Sequence, residues 1–179
     1  MKLKQLVYAT FFCLMANSAL GQVIQEKNLT STEYQKRFDQ HVKDGYRPVK
    51  VWSKALGVFD GPTSFGYWAT FQKDSGKIPW VARHGLDAAT YQQEFNKWSA
   101  QGYVPTDMNV ARVNDQVRYC VIYDKIPNAP AGIARHNINK AQFDQENKSA
   151  TAKGYKLKLH SQCAVNGGWI FMAFWQKSQ

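Results

Sequence analysis

The feature that most constrains this chain is a phrase it spells three times. Gly-Tyr pairs stand at Gly45-Tyr46, Gly102-Tyr103 and Gly154-Tyr155. Eleven residues before each glycine is an aromatic residue: Tyr34, Tyr91 and Phe143. Sixteen before is an aliphatic residue: Leu29, Leu86 and Ile138. Fifteen before stands Thr30, Asp87 or Asn139, whose side chains accept the orphan amide hydrogens of a helix start. Glu33, three residues after Thr30, completes a capping box in the first copy. A catalytic phrase is needed once, whereas a structural phrase is needed once per repeat.

Each copy therefore predicts a helix of about twelve residues, closed by a glycine that takes positive φ at little cost. Tyr34, Phe38 and His41 line one stripe of the first helix and Tyr91, Phe95 and Trp98 one stripe of the second, at the i, i+4, i+7 spacing of a buried face. The third stripe, Phe143, Asn147 and Ala150, is more polar, as suits an end unit with one neighbour. Extended segments follow each glycine: YRPVKVWSKAL, YVPTDMNVARV and YKLKLHSQCAV. A second strand comes next: YWATFQK, RYCVIYDK and WIFMAFWQK. Asn114-Asp115 and Gly167-Gly168 are the expected hairpin turns. The first copy carries about five extra residues within ALGVFDGPTSFG, expected as a longer loop that either varies on the surface or faces a ligand. A short strand precedes each helix, and in the second and third copies it ends in Arg83-His84 and Arg135-His136.

The expected fold is α+β: three tandem βββα repeats, each with three strands and a helix, packed into one domain. The sheets are antiparallel with helices on one face, stacked openly or closed into a propeller-like ring. The units are residues 22–76, 77–128 and 129–179. One unit cannot cover its own sheet face and helix stripe, but stacked units can. The second strand after the helix of the second unit has large residues on both faces, Tyr119, Val121 and Tyr123 against Cys120 and Ile122. Both faces are then candidates for burial, and alternation does not sort core from surface.

Ahead of the repeats, Lys2 and Lys4 precede a short apolar run from Leu6 to Met15 and the small-x-small site Ala19-Leu20-Gly21. This pattern predicts a signal peptide over residues 1–21 and a secreted or periplasmic protein. No other segment is apolar enough to anchor the chain in a membrane. An exported chain permits a disulfide between Cys120 and Cys163, and this bridge is expected over two buried thiols. The sequons Asn28-Leu29-Thr30 and Asn147-Lys148-Ser149 make Asn28 and Asn147 glycosylation candidates if the export route is eukaryotic. The net charge of +10 is spread along the chain, which favours anionic surfaces in general and names no nucleic acid.

The phrases WVARHGLDAATYQQEFNKWSAQGYVP and VRYCVIYDK resemble the bacterial tandem repeat modules, which are similar to the repeats in the amino-terminal half of fungal polyglycine hydrolases. The matching residues are Trp80, Ala82, Arg83, His84, Gly85, Leu86, Tyr91, Phe95, Gly102, Tyr103, Tyr119 and Tyr123. The likeness is strong in the middle unit, fair in the last and weak in the first. In those longer enzymes the chemistry resides in a separate serine hydrolase domain, so the resemblance implies the accessory half alone, with chiefly structural residues.

No Ser-x-x-Lys, Gly-x-Ser-x-Gly, His-Glu-x-x-His or phosphate-binding glycine loop occurs. No compact ligand cluster predicts a metal, and nothing implies a cofactor. His84 and His136 are equivalent by repeat. They either brace the backbone while Arg83 and Arg135 cover apolar surface, or contribute to a repeated anion or sugar site near the junctions, with Trp80 beside the first pair. Exposed rings among Trp52, Trp68, Trp80 and Trp169 are further sugar or cation platforms. The expected function is a secreted binding module for a glycan, an anionic surface or an extracellular protein. The alternatives are a small secreted hydrolase with an unrecognised site and a self-assembling structural protein.

Overall fold

The structure, a computed structural model, describes residues 23–58 and 61–178. The expected signal peptide lies outside the described residues. Three units follow one another in the order strand, helix, strand, strand. The first holds β1 (Val23–Leu29), α1 (Ser31–Lys43), β2 (Tyr46–Val58) and β3 (Gly61–Lys73). The second holds β4 (Trp80–Leu86), α2 (Ala88–Ser99), β5 (Tyr103–Val113) and β6 (Gln116–Lys125). The third holds β7 (Gly132–Ile138), α3 (Lys140–Ala152), β8 (Tyr155–Val165) and β9 (Gly168–Lys177). Every sheet is antiparallel, with the last strand of its unit in the middle: β1-β3-β2, β4-β6-β5 and β7-β9-β8. The units form an open stack with the helices on one face of each sheet.

Local chemistry sets the elements as the spacing predicted. Thr30, Asp87 and Asn139 cap the three helices, accepting from the backbone N–H of Glu33, Thr90 and Gln142. The third helix has a second capping box, closed by Gln142. At the helix ends Gly45, Gly102 and Gly154 have φ of 78°, 81° and 80°. Just before each helix the strand bulges at one shared position, filled by Asn28, Gly85 and Asn137 with φ of 59°, 67° and 53°. Only glycine and the short amides visit this conformation cheaply. Past the bulge Leu29, Leu86 and Ile138 pair with Tyr67, Tyr119 and Phe171, one environment repeated three times.

Register makes residues equivalent across units. Lys50, Asp107 and Leu159 share a position, as do Trp52, Asn109 and Ser161, and Trp68, Cys120 and Met172. β6 is buried on both faces, with Tyr119, Cys120, Val121, Ile122 and Tyr123 all at 0% exposure. The reason is that the second sheet lies between two cores, whereas the first borders only one. One core joins Tyr34, Tyr67, Ala69 and Phe71 of the first unit to Cys120 and Ile122 of the second. The next joins Tyr91, Tyr119, Val121 and Tyr123 to Met172 and Phe174 of the third. The last, around Ala150, Ala173 and Trp175, draws on the third unit alone. The interior is thus a chain of joint cores.

Three expectations change. The described residues of the longer first hairpin do not form a long loop; the ladder continues past Leu56–Ser64, with Gly57 pairing Pro62 and Val58 pairing Gly61. The last hairpin turns one residue earlier than expected, at Asn166-Gly167, with Gly167 at φ 80° and Gly168 already in β9. The expected Cys120–Cys163 disulfide is absent: both cysteines are free. Cys120 is enclosed in the first joint core, where its thiol donates to Ser53 Oγ at 3.8 Å, whereas Cys163 packs on the second. They lie on nonequivalent positions in different sheets, and burial pushes the Cys120 thiol up to about 11.

Candidate functional site

The functional residues expected from sequence lie at the two joints. Here the inner strands β2, β5 and β8 run side by side, linked by side chains instead of a continuous backbone ladder. At the first joint Val51 N donates to Asp107 Oδ2 at 2.7 Å and Ser53 N to Asn109 Oδ1 at 2.8 Å. At the second, Val110 N donates to Ser161 Oγ at 3.1 Å. Ser53 and Val110 are equivalent donors, and Asn109 and Ser161 equivalent acceptors, so one device is used twice. Burial raises the pKa of Asp107 despite the opposing Val51 N–H and Lys50.

His84 crosses the first joint and sits edge-on to Tyr34 and Tyr67, with ring centroids 4.6 and 5.1 Å away. His136 does the same at the second joint, against Tyr91 at 4.8 Å and Tyr119 at 5.5 Å, and its Nε2 donates to the Ala88 carbonyl at 3.2 Å. Burial lowers both imidazole pKa values, against the opposing pull of Asp39 on His84 and of the Ala88 carbonyl on His136. In the third unit the equivalent rings are Phe143 and Phe171, stacked at 4.9 Å. The histidine near this pair is His160 of the same unit, 6.3 Å from Phe143.

The arginines turn the other way, onto their own helices. Arg83 Nε donates to Glu94 at 2.8 Å and its guanidinium lies 5.6 Å from the Trp98 ring. Arg135 pairs with Glu146 at 3.1 Å. The first unit ties the same strand position to its helix with reversed chemistry, Glu26 meeting His41 at 2.7 Å. Trp80 closes the first joint: its indole N–H donates to Asp74 at 2.8 Å, its ring meets Phe38 at 6.1 Å, and Arg47, ion-paired with Asp124, lies 5.9 Å from it. Burial would raise the pKa of Asp74, but the Trp80 and Gly76 N–H groups and Arg47 together hold it below the usual range.

Each Arg-His pair lines a cleft between its strand and the preceding helix. Arg83 and His84 line one of about 220 Å³ with Tyr34, Gln35, Phe38 and Ala82. Arg135 and His136 line one of about 430 Å³ with Gln92, Phe95 and Gly132. The two pairs stay at separate joints and do not converge. Among the described residues no three or more His, Cys, Asp or Glu side chains gather as a metal site. Of the sequons, Asn28 is exposed, while the Asn147 side chain is partly buried and accepts from the Trp175 indole at 2.8 Å.

One feature escaped sequence reasoning as a unit. On the outer face of the first sheet, exposed Lys50, Trp52 and Lys54 alternate along β2. Trp52 is 39% exposed and stacks on Trp68 with centroids 4.5 Å apart and planes 11° apart. Lys54 Nζ lies 4.8 Å from the Trp68 ring. Their equivalents Asn109 and Cys120 are enclosed by a neighbouring unit. The signal was present in the repeat register: two tryptophans stand where the other units carry residues small or flexible enough to pack into a joint.

No helix among the described residues is long and apolar enough to cross a membrane. Comparison with curated proteins gives no match. A family model described as "Polyglycine hydrolase-like, structural repeat" matches residues 27–52, 77–126 and 129–178. One stretch falls in each structural unit; together they cover most of the chain, and the shortest, in the first unit, ends within β2. The chain belongs to the family of polyglycine-hydrolase-like structural repeats.

Proposed function

We propose that this chain is a non-catalytic binding module, exported to the periplasm or beyond, that holds acidic glycans on the outer face of its first sheet. The observation that carries this reading is the exposed Trp52, stacked on the buried Trp68 and flanked by Lys50 and Lys54. An indole face takes the C–H face of a sugar ring, and the ammonium groups take its carboxylate or sulfate. The spread positive charge raises the local concentration of such ligands. Arg83, His84, Arg135, His136 and Trp80 serve this module chiefly by fixing the joints. Of the two sequons, Asn28 is the accessible acceptor in this reading.

The test is tryptophan fluorescence titration against paired acidic and neutral oligosaccharides. Acidic glycans should quench saturably, with an affinity that falls as salt rises. Trp52→Ala should weaken binding at least tenfold with little change in melting temperature. If no oligosaccharide binds, or binding survives Trp52→Ala unchanged, the reading fails.

A further inference from the structure

The two joints are built alike except at one place. The linkers between units have the same length, with positive φ at the equivalent Gly76 and Asn128, 69° and 55°. Lys125 N donates to Pro79 O at 2.8 Å and Lys177 N to Ala131 O at 2.9 Å, so the two linkers are seated identically. In the first joint the slot behind the linker is filled by Trp80. Its three neighbours there are Phe38, Arg47 and Asp74. The equivalents of these four residues in the second joint are Gly132, Phe95, Val104 and Ile126. The indole is gone, the ring partner is kept, and both charged partners have become aliphatic.

What remains is a cavity of about 420 Å³ whose lining includes Phe95, Val104, Pro105, Ile126, Gly132 and Phe174. Phe174 crosses from β9 over Gly132, where a Cβ would collide with its ring, and so takes part of the vacated space. The rest stays open and runs into the Arg135-His136 cleft through the shared Phe95 and Gly132. Pockets of this size with apolar walls suit small ligands.

We propose that the second joint is a binding pocket for a small, flat, uncharged aromatic molecule of about two fused rings. The first joint supplies the template, since the same architecture already houses an indole. The chemistry of the substitutions sets the preference. Asp74 accepts the Trp80 N–H, but Ile126 at the equivalent place offers no acceptor, so a ring N–H seated as that indole is loses its partner, polar side chains such as Ser99 and Asn128 lying elsewhere on the wall. A hydrocarbon bicycle is therefore favoured over its N–H counterpart. The pocket is separate from the Trp52–Trp68 face and does not depend on the glycan reading.

The probes are naphthalene and indole, titrated into the full chain while backbone amide resonances are followed by NMR. Naphthalene should give saturable shifts centred on Phe95, Val104, Gly132 and Ile126, and should bind more tightly than indole. Val104→Arg with Ile126→Asp restores the charged partners of the first joint. This variant should lose naphthalene affinity at least tenfold and reverse the preference in favour of indole. If it does not fold, Val104→Arg alone should still lose naphthalene binding. Shifts that never saturate, that centre elsewhere, or that persist unchanged in the variants would overturn the proposal.

Discussion

The joints rest on a three-ring contact that is used twice and then dropped. Tyr34 and Tyr67 stack at 5.3 Å and receive His84; Tyr91 and Tyr119 lie at 5.2 Å and receive His136. In the third unit the same pair is Phe143 and Phe171. The tyrosine hydroxyls belong to the joint and vanish with it. Burial lowers both imidazole pKa values below their ordinary 6.5 and so disfavours the charged ring in the folded state. The sign follows by linkage. Below about pH 6.5 the unfolded chain binds protons that the folded chain refuses, so stability is full above that value and falls as pH drops. Thermal melts should show a midpoint that is flat from pH 7 to 8 and declines toward pH 5. Each kcal/mol lost should cost roughly 2–4 °C in a chain of this size. His84→Phe keeps a ring in the slot and should flatten the decline. A variant as pH-sensitive as the parent would show that His84 is not the titrating group. Asp74 and Glu94 have lowered pKa values and lose their contribution only nearer the carboxylate range, so their effect falls below the histidine window.

At the scale of elements, what was legible in the sequence is what neighbours dictate. Thr30, Asp87 and Asn139 cap helices because the groups they satisfy lie three residues away. Tyr34, Phe38 and His41 face the sheet because helix geometry puts them on one stripe. Pairing across longer separations was less visible. The five extra residues of the first unit read as a loop in the sequence, since no short-range rule shows that Gly57 and Pro62 continue the ladder. Asn166-Gly167 was passed over for the adjacent Gly-Gly, although Asn-Gly is a strong hairpin signal. The cysteines misled for a related reason. Cys120 occupies the position of Trp68 and Met172, so its packing role needs no second sulfur. The joint bonds were the hardest to foresee, because each links a backbone N–H to a side chain in the next unit. Asn109→Ala should strand the Ser53 N–H and cost about 1–3 kcal/mol, the range for a buried donor left without its partner. Asn109→Asp keeps an acceptor and should cost less. By comparison, Asp87→Ala removes a helix cap and should cost about 1 kcal/mol. Denaturant midpoints of the three variants decide the order; equal losses for Asn109→Ala and Asn109→Asp would remove the acceptor from the explanation.

The whole molecule is held by what the units share, and its ends are finished differently from its joints. Lys27 stands at the first unit's histidine position, Trp52 at its acceptor position and Lys50 at the position of Asp107. A second copy docked head to tail would therefore meet none of the devices that join the units within one chain. This disfavours growth of the stack by copies that continue its own joints. Within the stack, each joint core depends on the unit that follows. Met172 and Phe174 are nearly or fully buried against Tyr91, Tyr119 and Val121, although they belong to the third unit. Burying a large apolar side chain contributes about 1.5–3 kcal/mol, and a domain's net stability is only about 5–15 kcal/mol. Losing two such residues together with the Ser161 acceptor removes a large share of that margin from the second unit. The stretch spanning residues 22–179 should then unfold in one cooperative calorimetric transition. A fragment spanning residues 22–128 should melt well below it or aggregate, because the faces carrying Val110 and Tyr119 would be bared. Two separated transitions in the intact chain, with the fragment melting at the temperature of one of them, would mean that the units are stable singly and that the joints merely hold them in line.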